Sequence, residues 1–185
     1  MPNSDKVETL RWVGDVDGHL VLIDQTRLPV DCQELECRTI EQVWEAIKRL
    51  QVRGAPAIGI AAAYGVCIGL QQTEADTPLR AQLNKSSDYL ATSRPTAVNL
   101  FWALDRMKAK AASLEGEATA SLRDALLAEA RAIHEEDRVM CHAIGRYGAA
   151  LLDDGQGVLT HCNAGGLATA EYGTALSVFF TAQDQ

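Results

Sequence analysis

What this sequence lacks excludes several classes of function. It has no surplus of positive charge: 17 Lys and Arg stand against 25 Asp and Glu, a net charge of -8. That balance argues against a nucleic-acid backbone as a general partner. It does not bar a local anion site, because a few backbone N–H groups and one Arg can hold a phosphate. No run is both long and apolar enough to span a membrane. The best candidate, Ala55 to Leu70, is short and carries four Gly or Pro interruptions. The first residues, Met-Pro-Asn-Ser-Asp-Lys, do not form a basic-then-apolar leader.

Paired cysteine motifs are missing as well. The five cysteines (Cys32, Cys37, Cys67, Cys141 and Cys162) are odd in number and irregularly spaced. None forms a C-x-x-C pair, and none has zinc spacing with His19, His134, His142 or His161. A reduced, cytoplasmic setting with no metal centre is the expectation. The remaining bulk figures, 47% hydrophobic and 23% charged, are those of a soluble globular chain. At 185 residues the chain has room for one domain, or for one small domain and part of another.

The pattern begins with a hairpin. Leu10–Val13 and His19–Ile23 flank Asp15-Val16-Asp17-Gly18, which carries the Asp-Gly turn signal. A further extended piece is expected through Leu28 and Pro29. Helices then take over. Thr39-Ile40-Glu41-Gln42 is a capping-box pattern, followed at helical spacing by Val43, Trp44, Ile47 and Leu50. Pro56 suits the first turn of a helix that is apolar on all sides through Leu70, hence buried. Thr77-Pro78 opens a third helix. Ser93-Arg94-Pro95-Thr96 opens a fourth, with Val98, Phe101, Trp102 and Leu104 to Met107 at its apolar positions.

Ser121 to about Leu152 reads as a long helical region, broken near Gly145 or Gly148, with Leu122, Ala125, Leu126 and Ile133 turned inward. Asp153 to Gly157 is a turn. Val158 then starts a short apolar strand that ends at Cys162, followed by a glycine loop and a small-residue helix. The expected fold is mixed α/β. A mostly helical α+β domain with a small antiparallel hairpin (residues 1–120) precedes the first part of an incomplete Rossmann-like domain (residues 121–185), with the border near Glu115-Gly116-Glu117 or inside the long helix.

Three segments could carry chemistry. In Val52-Arg53-Gly54-Ala55-Pro56, Gly54 permits a tight turn and Pro56 fixes a helix entry whose first N–H groups lack partners. Arg53 adds a forked cation, so the segment could hold a phosphate or be a plain turn into a buried helix. Ser93-Arg94-Pro95-Thr96 again places an Arg at a helix start; its plainer reading makes Ser93 the N-cap. Cys162 lies where ligands collect in open α/β sheets, outside a strand's carboxyl end and beside an anion-favouring helix start. Its alternative is a buried structural thiol. His161 would point to the opposite face of the strand and reads as structural. Asn163 and Thr160 could orient the loop or touch a ligand. Glu135-Glu136-Asp137-Arg138 reads as a solvated helix face, and His134, His142, Asp153 and Asp154 have no evident partner.

Taken together, these words resemble the methylthioribose-1-phosphate isomerase family, which is related to the regulatory subunits of translation initiation factor 2B. The matching stretches are Leu22-Ile23-Asp24-Gln25-Thr26-Arg27-Leu28-Pro29, Arg53-Gly54-Ala55-Pro56-Ala57-Ile58-Gly59 and Ser93-Arg94-Pro95-Thr96-Ala97-Val98-Asn99-Leu100. A fourth is Thr160-His161-Cys162-Asn163-Ala164-Gly165 with Leu167-Ala168-Thr169 and Tyr172-Gly173-Thr174-Ala175-Leu176.

The resemblance implies conversion of 5-methylthioribose 1-phosphate to 5-methylthioribulose 1-phosphate in methionine salvage, with no metal or organic cofactor. It implies that Arg53, Gly54, Ala55 and Arg94 bind substrate, mainly its phosphate, and that Cys162 is catalytic. The phosphate on C1 blocks simple ring opening, so such a reaction needs a general acid at the ring oxygen and a hydrogen moved from C2 to C1. A base or a hydride shift could carry that hydrogen, and an apolar closed site would aid it.

Family members continue for about as many residues again, and that half carries a second catalytic residue, an Asp. The resemblance therefore implies an N-terminal half with little turnover alone. A homodimer or a complementing C-terminal half is the expected partner, because an uncovered strand edge and apolar helix face invite pairing. Two further readings stay open: a non-catalytic regulatory sugar-phosphate binder, and a ribose 1,5-bisphosphate isomerase.

Overall fold

The computed structural model describes residues 8–73, 77–116 and 118–185. Glu117, part of the expected domain border, and the leader positions 1–7 lie outside them. The hairpin forms as its alternation requires. Strands β1 (Leu10–Val13) and β2 (His19–Ile23) pair antiparallel, with Leu10 opposite Leu22 and Val13 opposite His19. Gly18 N–H donates to Asp15 O and closes the turn. The third strand differs from expectation. Residues through Pro29 form turns, in which Asp24 accepts from Thr26 N–H and from its hydroxyl. Strand β3 comes later, at Glu34–Cys37, and pairs antiparallel with β2. The order is β1-β2-β3.

Helix α1 (Ile40–Lys48) starts with the reciprocal cap its sequence encodes. Gln42 N–H donates to the Thr39 hydroxyl, and Gln42 Oε1 accepts from Thr39 N–H. Ile40, Val43 and Ile47 face the core, whereas Leu50 leaves the helix in a left-handed conformation and is exposed.

Helix α2 (Ala55–Gln71) is the centre of the molecule. Every residue from Ala57 to Leu70 is buried, as an all-round apolar sequence requires. Helices α1, α3 (Leu79–Ala91), α4 (Val98–Ser113) and α5 (Thr119–Ala149) all pack on it, and the sheet covers part of its remaining face. Full burial of each Ile or Leu here contributes roughly 1.5–3 kcal/mol against exposure. Trp12 of β1 stacks on Tyr64 with ring centroids 5.3 Å apart, tying sheet to helix.

Three expectations about the later helices are corrected. Ser93 does not cap α4; it is buried and its hydroxyl donates to Leu90 O, closing α3. The N-cap position of α4 is Ala97. Leu100, Ala103, Leu104 and Met107 form the buried phase of α4, which turns Val98, Phe101 and Trp102 outward. Helix α5 is continuous through Gly145 and Gly148. Those glycines serve a second helix instead: any Cβ at Gly145 would strike Thr181 and Ser177, and at Gly148 it would strike Val178. The absent side chains let α6 (Ala175–Gln183) lie closely along the end of α5.

The expected strand from Val158 to Cys162 is not formed. Its residues are exposed and outside any sheet, because no strand among the described residues lies beside them to pair. Among the described residues, no helix is long and apolar enough to cross a membrane.

Candidate functional site

The site is built around Gly54. Its φ of 94° lies in the left-handed region that only glycine adopts freely. It has a second constraint: a Cβ there would collide with the backbone of Ala168. Ala168 closes a single 3-10 turn, Gly166–Ala168, in the loop that begins with Cys162. The start of α2 and the cysteine loop are therefore seated against each other.

Other bonds hold the loop from several directions. Gln25 Nε2 donates to Leu167 O at 2.7 Å, and the Thr9 hydroxyl donates to Gly166 O at 2.6 Å. Thr9 N–H donates to Ala170 O at 3.1 Å. Within the loop, Gly173 N–H donates to the Thr169 hydroxyl. Gln25 belongs to the turn after β2, so that turn reaches the cysteine loop.

The first turns of α2 and α4 also meet, since a Cβ on Gly59 would approach Asn99 O at 2.9 Å. Arg53 and Arg94, just before those turns, form no ion pair or side-chain hydrogen bond among the described residues. Arg53 is exposed and Arg94 half-buried. Ala55, at the first position of α2, is exposed, and Pro56 follows it. The early N–H groups of α2 carry no side-chain cap. Each guanidinium precedes a helix start without a side-chain cap, a chemistry that can hold an anion.

Cys162 is a free, exposed thiol with φ of 70°. A non-glycine residue held there stores backbone strain, a condition concentrated at functional positions. Two details of the sequence reading are corrected. The thiol does not end a strand, and no α-helix follows directly on its glycine loop, because the next α-helix in the chain begins only at Ala175. His161, expected to be a packed structural residue, is exposed with Thr160 and Asn163. No bond joins Cys162 to Arg53 or Arg94.

The reading of Glu135-Glu136-Asp137-Arg138 as a solvated face holds for the exposed Glu135 and Glu136 and fails at Asp137. Glu136 makes a two-pronged pair with Arg106, at 2.5 and 2.7 Å. Asp137 is only 6% exposed. Its Oδ2 accepts from Ala170 N–H at 2.7 Å, pinning the cysteine loop to α5, and receives the Cys141 thiol at 3.9 Å. Its Oδ1 is buried without a hydrogen-bond partner. Burial pushes this carboxyl above the usual carboxylate range, although the Ala170 N–H pulls it the other way. A signal was present in the sequence: Leu126, Ala130, Ile133, Asp137 and Cys141 recur at helical spacing and share the buried face.

His134 and His142 also acquire partners. The Tyr64 hydroxyl lies 3.0 Å from His134 Nδ1. His142 bonds Glu171 and stacks on Tyr172, beside a groove of about 530 Å³ between α5 and α6. A smaller pocket of about 380 Å³ opens between the first turns of α2 and α4 and the middle of α5. Asp137 is one of its walls. Among the described residues, no group of three or more His, Cys, Asp or Glu is placed to hold a metal ion.

Known proteins resemble this chain in sequence and fold. The chain is 52% identical to a 5-deoxyribose 1-phosphate isomerase of Moorella thermoacetica, over 89% of this chain and 48% of that protein. It is 51% identical to a methylthioribose-1-phosphate isomerase of Rhodopirellula baltica, over 95% of this chain and 51% of the relative. The crystal structure of 5-methylthioribose 1-phosphate isomerase from Pyrococcus horikoshii superposes with a TM-score of 0.85 at 35% identity, over 95% of this chain and 50% of that one. A translation initiation factor eIF-2B delta subunit from A. fulgidus superposes with a TM-score of 0.84 at 43% identity, over 96% and 51%. The chain thus spans about half the length of the relatives it matches. Residues 51–185, from the Arg53 turn through the cysteine loop to α6, match the initiation factor 2 subunit family, and the chain belongs to that family.

Proposed function

We propose that this chain is the substrate-gripping half of a sugar-phosphate isomerase that converts 5-methylthioribose 1-phosphate to 5-methylthioribulose 1-phosphate. The observation that carries the reading is the pair of uncommitted guanidinium groups, Arg53 and Arg94, before adjoining helix starts, with Gly54 seating the Cys162 loop against one of them. In this reading Arg53, Gly54, Ala55 and Arg94 hold the phosphate. Cys162, free and exposed, touches the reacting carbons. The general acid for the ring oxygen comes from a second half of the fold, so turnover by residues 1–185 on their own is slight. That half, or a second copy in a homodimer, would cover the exposed apolar residues Val98, Trp102, Met140, Tyr147 and Leu151.

The segment from 121 onward would then open a Rossmann-like domain whose other strands give Val158 to Cys162 neighbours to pair with. The free cysteines suit a cytoplasmic setting.

Titration calorimetry with 5-methylthioribose 1-phosphate tests the reading. Binding is expected, and Arg53→Gln and Arg94→Gln each weaken it by roughly ten-fold or more. Wild-type affinity in both variants would overturn the assignment. The Moorella relative favours a second substrate, 5-deoxyribose 1-phosphate, which differs only at C5 and can be titrated in the same way. The likeness to the A. fulgidus subunit favours a non-catalytic sugar-phosphate binder. That reading gains if Cys162→Ser leaves every measurable function of the completed assembly intact.

A further inference from the structure

The stretch Leu22 to Pro29 supplies no substrate contact in the proposed reaction, yet it stands between two segments that do. Asp24 and Gln25 follow β2 directly. Gln25 N–H donates to Gln51 O at 2.9 Å, and Gln51 Nε2 donates to Asp24 Oδ2 at 2.9 Å. Gln51 lies just before Val52 and Arg53, so both bonds hold the approach to the Arg53 turn. From the other side of the same residue, Gln25 Nε2 donates to Leu167 O at 2.7 Å, 142 positions along the chain in the Cys162 loop. Asp24 is 8% exposed. Burial raises its carboxyl, but the bonds from Thr26 and Gln51 outweigh that and hold it below the usual carboxylate range. It therefore stays a charged acceptor for Gln51.

These contacts close a ring that runs from Gln25 to Gln51, along the chain to Gly54, across to Ala168, and back through Leu167 to Gln25. The two crossings differ in kind. The Gly54–Ala168 contact is steric, so it limits how closely the segments approach and leaves them free to slide. The Gln25 amide bond is directional and fixes the sideways register. Other side-chain bonds to the loop lead to other elements. Thr9, bonded to Gly166 O, precedes β1, and Asp137, bonded to Ala170 N–H, stands on α5. Gln25 is half-buried, and fixing its long side chain costs rotamer entropy, so this bond adds little net stability.

We propose that Gln25 is a positioning residue, whose amide sets the register between the Arg53 turn and the Cys162 loop so that a sugar ester held by the first meets the thiol on the second. The inference rests on the sugar-phosphate reading above and adds the residue that aligns its two halves. Gln25 touches neither the phosphate nor the reacting carbons; it acts through Gln51 and Leu167.

The test replaces Gln25 by Met, which keeps the length and loses the donor, and by Glu, which keeps the shape and turns the donor into an acceptor. Nitroxide labels are placed on Cys162 and on Arg49→Cys, an exposed position at the end of α1, with Cys32→Ser removing the other exposed thiol. The distance distribution between the labels, read by double electron–electron resonance, is expected to widen in both variants while the urea midpoint stays unchanged. Calorimetry should show 5-methylthioribose 1-phosphate weakened roughly ten-fold by Gln25→Met, with inorganic phosphate bound as in wild type. An unchanged distribution in both variants overturns the proposal, whatever the urea midpoint does. A wider distribution with unaltered sugar-phosphate affinity overturns it too, because the register would then serve no ligand. Equal weakening of both ligands would place the effect at the Arg53 turn alone and also overturn it. If the wild type binds neither ligand, the sugar-phosphate reading falls, and the distance measurement by itself upholds or overturns the register role.

Discussion

Gly54 and Ala168, far apart in sequence, are in backbone contact so close that no side-chain carbon fits between them. The contact seats the loop of the one exposed, strained cysteine against the start of the most buried helix. The position of Cys162 thus depends on a glycine in another segment.

Gly54→Ala should therefore be far more damaging than an ordinary glycine replacement. It combines a disfavoured φ with a collision against backbone, and a loss of about 3 kcal/mol in urea unfolding is expected. Gly155→Ala is the control. Its φ of 78° is also positive, but nothing lies near a Cβ there, so about 1 kcal/mol is expected. Equal losses in the two variants would refute the contact's role.

Asp137→Asn should raise the melting temperature at neutral pH. The sign follows from burial, which raises the folded carboxyl above its unfolded value. The folded state then holds that proton more tightly than the unfolded one. Its contribution is most favourable below the ordinary carboxyl range and declines as pH rises through it. The stability gap between Asn variant and wild type should widen from about pH 4 upward. A gap that stays flat across that range would contradict the buried carboxyl's cost.

His134 gives the opposite slope. Burial, followed by the charge of Arg138, lowers its folded pKa, so the ring is held neutral beside the Tyr64 hydroxyl. Its Nε2 is buried without a partner, and charging the ring would strand a second donor there. The folded state binds the proton less well than the unfolded one, so stability is complete above the ordinary imidazole range and is lost as pH falls below about 6.5. His134→Gln should remove this acid-side component from the melting-temperature profile while still offering Tyr64 a partner. An unchanged acid-side slope would rule the histidine out.

Gly145→Ile should detach α6 without unfolding the rest. The added side chain would strike Thr181 and Ser177, the latter through its backbone carbonyl. A destabilisation of about 2 kcal/mol confined to the α5–α6 contact is expected. Hydrogen exchange should rise over Ala175–Gln183 and stay low in α2. Uniform loss of protection along the chain would mean that α6 is part of one cooperative core.

Several elements were legible because their causes are local. The Asp15–Gly18 turn, the Thr39–Gln42 reciprocal cap and the all-round apolar α2 each follow from neighbouring residues. Arg53 and Arg94 were legible as cations at helix starts for the same reason. Asp137 was misread because a charged residue among Glu135, Glu136 and Arg138 looks solvated, whereas helical phase places it with Ile133 and Cys141. Phe101 and Trp102 were misread the other way: their apolar character suggested the core, but Leu100, Leu104 and Met107 occupy the phase that meets α2.

The sequence by itself determined the hairpin, the Thr39 helix cap, the buried central helix and the arginines before two helix starts, since each arises within a turn or two of chain. Only the tertiary structure decided that Gly54 meets Ala168, that Asp137 reaches Ala170, and that residues Val158 to Cys162 run unpaired. The physical reason is that such contacts and strand pairings need a second segment brought from a distance, and no local propensity records where that segment will lie.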